Sequence, residues 1–257
     1  MKEGIVMIYM EDMVITEQAQ IANEIFRIKL SGHSIPKNAR AGQFVHLQVP
    51  GHLLRRPISV CSIDRKKRVI SLVYRISGKG TVKISRLPEG ATVNVLGPLG
   101  NGFPIFDMEP GQKALLVGGG IGVPPLYELA RQLRKRGIDV TTILGFKTKH
   151  EVFYEREFSR IGSTFVTTDD GSFGEKGLVT DFIKIRNFPF DRLYACGPEP
   201  MLRALNEMFP GKNLYFSLEE RMACGIGACY ACVKRTGTGV VKVCTDGPVF
   251  HSGGIRL

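Results

Sequence analysis

Leu116-Val117-Gly118-Gly119-Gly120-Ile121-Gly122-Val123-Pro124-Pro125-Leu126 is the stretch whose reading decides the fold of this 257-residue chain. The apolar run Lys113–Val117 ahead of it predicts a buried strand. Beyond it, Pro124 or Pro125 suits a first helical turn, and a helix is expected over Pro124–Arg136 with Gly137 in the C′ position. Between them, Gly118, Gly119, Gly120 and Gly122 let backbone come close to a ligand. A strand, a glycine loop and a helix N-terminus in that order suit a pyrophosphate.

Outward from that loop, the downstream chain keeps the same rhythm. Strands are expected at Val140–Leu144, Ser163–Thr167 and Arg192–Cys196, with helical pieces at Tyr154–Arg160, Leu178–Ile185 and Glu199–Met208. Buried strands alternating with helices predict a parallel α/β sheet. Upstream of Glu109-Pro110-Gly111 the pattern is different. Short strands at Ile5–Tyr9, Ile25–Leu30, Phe44–Val49, Ile58–Ser62, Val69–Ile76 and Thr92–Leu96 are parted by Ser31-Gly32, Pro50-Gly51 and Pro88-Glu89-Gly90. Such spacing predicts an antiparallel barrel, interrupted by one helix near Thr81–Leu87. From Leu214 the strand–helix alternation is lost. The expected divisions are residues 1–108, 109–212 and 213–257.

The last division holds four of the six cysteines. Cys224, Cys229 and Cys232 read C-x4-C-x2-C, with Cys244 further on, which is the plant-type [2Fe-2S] ligand spacing. Short steps bring successive thiolates to iron from one loop. Gly225 and Gly227 permit conformations that a Cβ would oppose, and Ala228 and Ala231 keep bulk away. A zinc site and inert buried thiols are the alternatives, although zinc favours paired C-x2-4-C units. Cys244 follows Cys232 sooner than in plant ferredoxins, so the surrounding fold need not be theirs. Cys61 is expected in the core.

Arg56-Pro57-Ile58-Ser59 opens one barrel strand and Val73-Tyr74-Arg75 closes another, before Gly80 and Thr81 begin a helix. Arg56 and Arg75 can neutralise a pyrophosphate beside the backbone N–H groups of Gly80 and Thr81. Ser59 can offer a hydroxyl to the edge of a flavin, and Tyr74 a ring to pack on the flavin or its ribose. Cys196-Gly197-Pro198-Glu199-Pro200-Met201 gives a second loop after an apolar strand. Asp139 is badly placed to bind a ribose, and Lys147 and Lys149 suit a 2′-phosphate, so these residues leave NAD and NADP both open.

The formal charge of +11 raises nucleic acid as a partner. The basic residues are scattered, without interleaved aromatics, and the chain has no Trp, so no nucleic-acid binding is expected. No segment reaches the roughly 18–20 apolar residues of a membrane span. Ile5–Met10 is followed at once by Glu11 and Asp12, without a basic n-region or cleavage site, so no signal peptide and a cytoplasmic location are expected. Cysteines in that compartment point to metal or redox chemistry.

Taken together, the Arg56–Ser59 motif, the Gly80-Thr81 helix start, the G-G-G-x-G-x-x-P loop and the C-G-P-x-x-M loop resemble the ferredoxin–NADP reductase superfamily. The run Glu219–Val233 and the run Lys242–Phe250 resemble the electron-transfer subunits of bacterial dihydroorotate dehydrogenase B. That resemblance covers essentially the whole chain. It implies FAD on the barrel, NAD(H) as co-substrate near Cys196 and Gly197, and a [2Fe-2S] cluster on Cys224, Cys229, Cys232 and Cys244. It further implies an FMN-containing dihydroorotate dehydrogenase catalytic subunit as partner, in a heterotetramer of two of each, working in pyrimidine (UMP) biosynthesis. The present chain would not oxidise dihydroorotate alone and would carry no acid–base pair. Exposed Ile226 and Tyr230 would be sticky without the partner. Sulfhydrogenase subunits and NADH-dependent ferredoxin reductases share this architecture, with cluster loops less like this one. The reading of a different class is a basic zinc-containing binding module, which metal analysis separates.

Overall fold

Period-two burial rolls residues 9–99 into a barrel. A computed structural model describes residues 7–237 and 239–257. Its first six strands are β1 (Tyr9–Ala22), β2 (Ile25–Ser31), β3 (Phe44–Leu47), β4 (Arg56–Asp64), β5 (Val69–Arg75) and β6 (Thr92–Leu99). They close in the order β1-β2-β5-β4-β3-β6, antiparallel throughout. Met13, Ile15, Ile28, Leu30, Val45, Leu47, Leu72 and Val95 fill the interior.

The strand expected at Ile5–Tyr9 is corrected in part. Residues 1–6 lie outside the described residues, and Tyr9 begins a 14-residue strand that the sequence reading stopped short of. Glu11, Asp12, Glu17 and Gln20 made that stretch look polar, but Met13 and Ile15 are buried between the exposed Asp12, Val14 and Thr16. β1 needs its length because it pairs β6 through Val14 and β2 from Val14 onward, with bulges after Ile15 and Gln20 that bend it. A short helix absent from the sequence reading, α1 (Ser34–Asn38), starts on the carboxylate of Glu11, which accepts the N–H groups of Ser34 (3.1 Å) and Ile35 (3.0 Å). The helix expected near Thr81–Leu87 is α2 (Lys79–Ser85).

The remaining strands are β7 (Lys113–Gly119), β8 (Asp139–Phe146), β9 (Ser163–Thr168), β10 (Glu175–Lys176), β11 (Arg192–Cys196), β12 (Leu214–Ser217), β13 (Val233–Arg235), β14 (Val240–Lys242) and β15 (Val249–His251). Four helices accompany them: α3 (Pro124–Lys135), α4 (Glu155–Ser159), α5 (Val179–Arg186) and α6 (Glu199–Met208). Gly137, at φ +79°, follows α3 as expected. Seven strands form one sheet in the order β10-β9-β8-β7-β11-β12-β15, and β13 pairs with β14 in a hairpin.

The alternation does not end at Leu214. β12 runs parallel to β11, and β15 returns antiparallel along β12. The cysteine-bearing segment therefore leaves the sheet after Ser217 and comes back to it at Val249.

The barrel and the sheet are joined by specific polar contacts. Arg75 pairs with Glu151 at 2.7 Å, and Arg192 grips Asp107 through two bonds of 2.7 Å each. The hydrogen bonds from Arg192 hold the Asp107 carboxyl below its usual range. Glu128, buried on α3, accepts the Ile63 N–H of β4 (3.1 Å) and also takes Arg131 (2.7 Å) and Gln132 (2.9 Å). Glu128→Ala strands the Ile63 N–H, so a loss of about 1–3 kcal/mol is expected. Thermal denaturation checks this: Glu128→Gln, which keeps an acceptor, should recover most of the loss, and an unchanged Glu128→Ala midpoint would refute the role.

Candidate functional site

β7 runs into a single 3-10 turn at Gly120–Gly122, and α3 follows. Gly120 takes φ +53° with open space before it. Gly122 sits so near the end of β11 that a Cβ there would lie 2.4 Å from the Cys196 carbonyl. Gly119 is equally tight against Met201 and Pro198, where a Cβ would come within 2.9 Å of each. The Gly118–Gly122 and Cys196–Met201 loops thus meet backbone to backbone. They do so above β7 and β11, where the chain order reverses along the sheet, which is where open α/β sheets bind ligands.

A cavity of about 600 Å³ opens there, walled in part by Gly120, Gly197, Arg75, Thr167, Asp169 and Glu219. Its glycine floor lets a pyrophosphate approach α3. Cys196 itself is fully buried behind Gly197, and burial pushes its thiol well above the ordinary value. Lys147 reaches the wall. Asp139 opens β8 at the far end of the strand and pairs with Arg134. Thr167, Asp169 and Glu219 were missed as wall residues by the sequence reading. Glu219 reaches solvent through the cavity, while enclosure by protein raises its carboxyl above the ordinary range.

On the barrel, the structure brings Arg56 to Gly80 and turns Arg75 elsewhere. The Arg56 guanidinium lies across the start of α2, where a Cβ on Gly80 would come within 2.4 Å of it, and donates to the Leu54 carbonyl (2.6 Å). Thr81 accepts the Ser77 N–H (2.9 Å) and donates to the Gly78 carbonyl (3.0 Å). A guanidinium beside free helix-start N–H groups fits a phosphate anion. Arg75 instead meets Glu151 on the cavity wall. Pro57 and Ser59 are half-buried on β4, while Ile58 belongs to the barrel core. Val73 points out toward the sheet's core and Tyr74 points into the barrel, where its hydroxyl accepts from Gln18 (2.8 Å). Tyr74 is therefore part of the barrel packing, unlike the ring-stacking expected from sequence.

In the cysteine segment, Gly225 and Gly227 take φ +71° and +80°, as a tight loop requires. Burial raises the Cys224 thiol, but N–H groups of Ile226, Cys229 and Ala228 turned onto its sulfur outweigh this and bring it down to about 7. The Cys229 N–H lies 3.3 Å from that sulfur. Cys232 and Cys244 are buried together. Burial, and then the hydrogen bond with Cys232, push Cys244 up to about 11. Among the described residues no three such side chains close around one point, whereas the cysteines stand as two pairs, Cys224 with Cys229 and Cys232 with Cys244. Two thiol pairs plus inward backbone donors fit a two-iron, sulfide-bridged group better than a single ion. Cys61 is buried as expected, and burial pushes it to about 12.

Comparison with known proteins assigns these three regions. Residues 12–103 match the oxidoreductase FAD-binding domain, 116–207 the oxidoreductase NAD-binding domain, and 219–256 the iron-sulfur cluster binding domain of dihydroorotate dehydrogenase B. The chain is 54% identical to the dihydroorotate dehydrogenase B (NAD(+)), electron transfer subunit of Geobacillus sp. (strain WCH70), over 98% of this chain and 100% of that one. Identity to the corresponding subunit of Bacillus caldolyticus is also 54%, with the same coverage. A solved structure of an NADH-dependent reduced ferredoxin-NADP oxidoreductase superposes with a TM-score of 0.86 at 32% identity, covering 100% of this chain and 91% of that one. The paired thiols, the barrel and the glycine-floored cavity thus sit in a chain that belongs to the family of dihydroorotate dehydrogenase B electron transfer subunits.

Proposed function

We propose that this chain passes electrons between an FMN-containing dihydroorotate dehydrogenase subunit and NAD⁺, as a step of pyrimidine (UMP) biosynthesis in the cytoplasm. The observation that carries this reading is how the cysteine segment is held. Asn101, just past the barrel, donates its backbone N–H to Gly247 (2.6 Å) and its amide to Thr245 (3.0 Å) and Asp246 (3.2 Å). Lys234 of β13 joins Glu199 at the start of α6 (2.9 Å) and Glu220 beside the cavity (2.7 Å). The segment is therefore fastened to both the barrel and the nicotinamide side. When bound, a flavin interconverts the single electrons of an iron–sulfur cluster and the hydride of a nicotinamide.

In this reading Arg56, Gly80 and Thr81 hold the FAD pyrophosphate, with Pro57, Ile58, Ser59 and Val73 shaping the flavin side, Tyr74 packing behind them in the barrel and Arg75 facing the cavity. Gly118, Gly119, Gly120, Gly122, Cys196 and Gly197 receive NAD(H), and Cys224, Cys229, Cys232 and Cys244 hold the [2Fe-2S] cluster. Residues 1–108, 109–212 and 213–257 are the corresponding working divisions. Ile226 and Tyr230, 48% and 74% exposed on the cluster loop, form the rim that meets the partner in a heterotetramer of two of each subunit. No helix among the described residues is long and apolar enough to cross a membrane.

Anaerobically purified chain, with flavin, iron, sulfide and zinc quantified and the spectrum titrated with NADH, tests the reading. About two irons, two sulfides and one flavin per chain, bleached by NADH, are expected. Zinc without flavin would overturn it. Adding the FMN subunit should then confer dihydroorotate-driven NAD⁺ reduction; a preparation that gains none has another redox partner.

A further inference from the structure

His46 is fully buried, and neither ring nitrogen has a hydrogen-bond partner among the described residues. Its place in the fold says what is missing. β3 sends Val45 and Leu47 into the barrel core and Phe44 and His46 to the other side, where Phe44 packs in the same cluster as Cys232 and Cys244. The His46 and Phe44 ring centroids are 5.6 Å apart. The backbone of His46 pairs with Pro57, inside the flavin motif of β4. Its ring lies against Gly225, where a Cβ would come within 2.6 Å of Cε1 and 2.9 Å of both nitrogens. One imidazole thus bridges the flavin-binding strand and the residue that follows Cys224.

No described residue completes this ring. Arg55, the nearest charge, is a donor, and its guanidinium is taken by the His46 carbonyl (3.4 Å), by Asn94 and by Gln48. Burial, with Arg55 second, lowers the His46 pKa to about 4, so the ring is neutral at pH 7 and carries one N–H. A buried donor without an acceptor is rare enough in native proteins to need a cause. The acceptors that no side chain supplies here are the sulfurs of the group that the adjoining loop is built to hold.

We propose that His46 donates its ring N–H to a sulfur of the cluster held by the Cys224 loop, positioning that loop against the barrel and raising the cluster's reduction potential. The inference rests on the iron–sulfur reading above. Hydrogen bonds to cluster sulfurs stabilise the more negative reduced form, which makes them one of the protein's main controls on potential. The N–H groups turned onto Cys224 come from the loop itself, so His46 is the donor through which the barrel acts on it.

The test uses the full chain with its cofactors, with iron and sulfide measured on each sample. In wild type labelled with ring-¹⁵N histidine, pulsed EPR of the reduced cluster should show ¹⁵N coupling, and His46→Leu should abolish it. At a fixed potential His46→Leu should move the reduced-to-oxidised cluster ratio about tenfold toward oxidised, which is about 59 mV for one electron. His46→Gln, which keeps a donor, should restore most of that shift, and the flavin midpoint should hold in both variants. A cluster-bearing wild type without ¹⁵N coupling overturns the proposal and leaves the function standing, even if His46→Leu fails to fold. A shift that falls on the flavin alone, or a His46→Gln cluster no different from His46→Leu, overturns it too. Zinc in place of iron and sulfide removes both the proposal and the reading beneath it.

Discussion

Cys229→Ser is expected to lose the iron and sulfide of the chain, and with them electron exchange with the partner subunit, while NADH still reduces the flavin at close to the wild-type rate. The four cysteines are not equivalent targets. Cys232 and Cys244 are each 1% exposed and pack with Leu205, Phe216 and Val243, so replacing them also disturbs apolar packing. Cys229 is half-buried between the exposed Ala228 and Tyr230. A hydroxyl there changes one atom at the surface. It nevertheless removes one of the proposed thiolate ligands, and an alcohol is too weak an acid to replace it at neutral pH. The backbone N–H of Cys229 still reaches Cys224, so the loop has reason to keep its path. Iron, sulfide and flavin analysis, stopped-flow reduction by NADH, and dihydroorotate-driven NAD⁺ reduction in the reconstituted complex measure the three consequences. Persistent dihydroorotate-driven activity in a cluster-free variant would sink the proposed route.

The contrast between that loop and His46 shows where the sequence stops being readable. The C-x4-C-x2-C spacing is local, and so is the strand–glycine–helix unit, because each is set by neighbours in the chain. β11 and α6 fall on the expected residues for the same reason. β1 was missed because Glu11, Asp12, Glu17 and Gln20 spread polar groups along it, and only closure of the barrel makes Met13 and Ile15 an inward row. α1 was hidden because its N-terminal N–H groups are accepted by Glu11, a carboxylate on another strand. β12 lay past the point where helices stop alternating, and its neighbours β11 and β15 come from both sides of it in the chain. His46 and Glu219 carry no motif of their own as single side chains. Each becomes informative through what surrounds it: Gly225 against an unpartnered ring, and a cavity wall around a carboxyl. Tyr74 is the reverse case, adjacent in sequence to useful residues but turned inward by the two-residue repeat of β5.

Gly122→Ala is expected to cut NADH-dependent flavin reduction by about 100-fold while flavin and iron content stay near wild type, because a displacement of about 1 Å at a binding loop costs that much. The added Cβ would meet the carbonyl carbon and oxygen of Cys196 at 2.4 Å and the Gly197 nitrogen at 2.5 Å. These are backbone atoms at the end of a central strand, so they cannot swing aside as a long side chain does. Either the Gly118–Gly122 loop lifts or the Cys196–Met201 loop retreats, and both movements part the walls of the proposed nicotinamide site. Gly120→Ala makes the useful comparison. Nothing lies within 4 Å of its Cβ position, so its cost comes only from a left-handed φ of +53°, roughly 1–2 kcal/mol, without a collision. Gly122→Ala should therefore lose NADH reduction far more than Gly120→Ala, though both keep flavin that dithionite can reduce. Anaerobic stopped-flow titration with NADH separates the two. Equal losses would mean that loop conformation alone governs binding, and an unimpaired Gly122→Ala would remove the two-loop junction from the nicotinamide site.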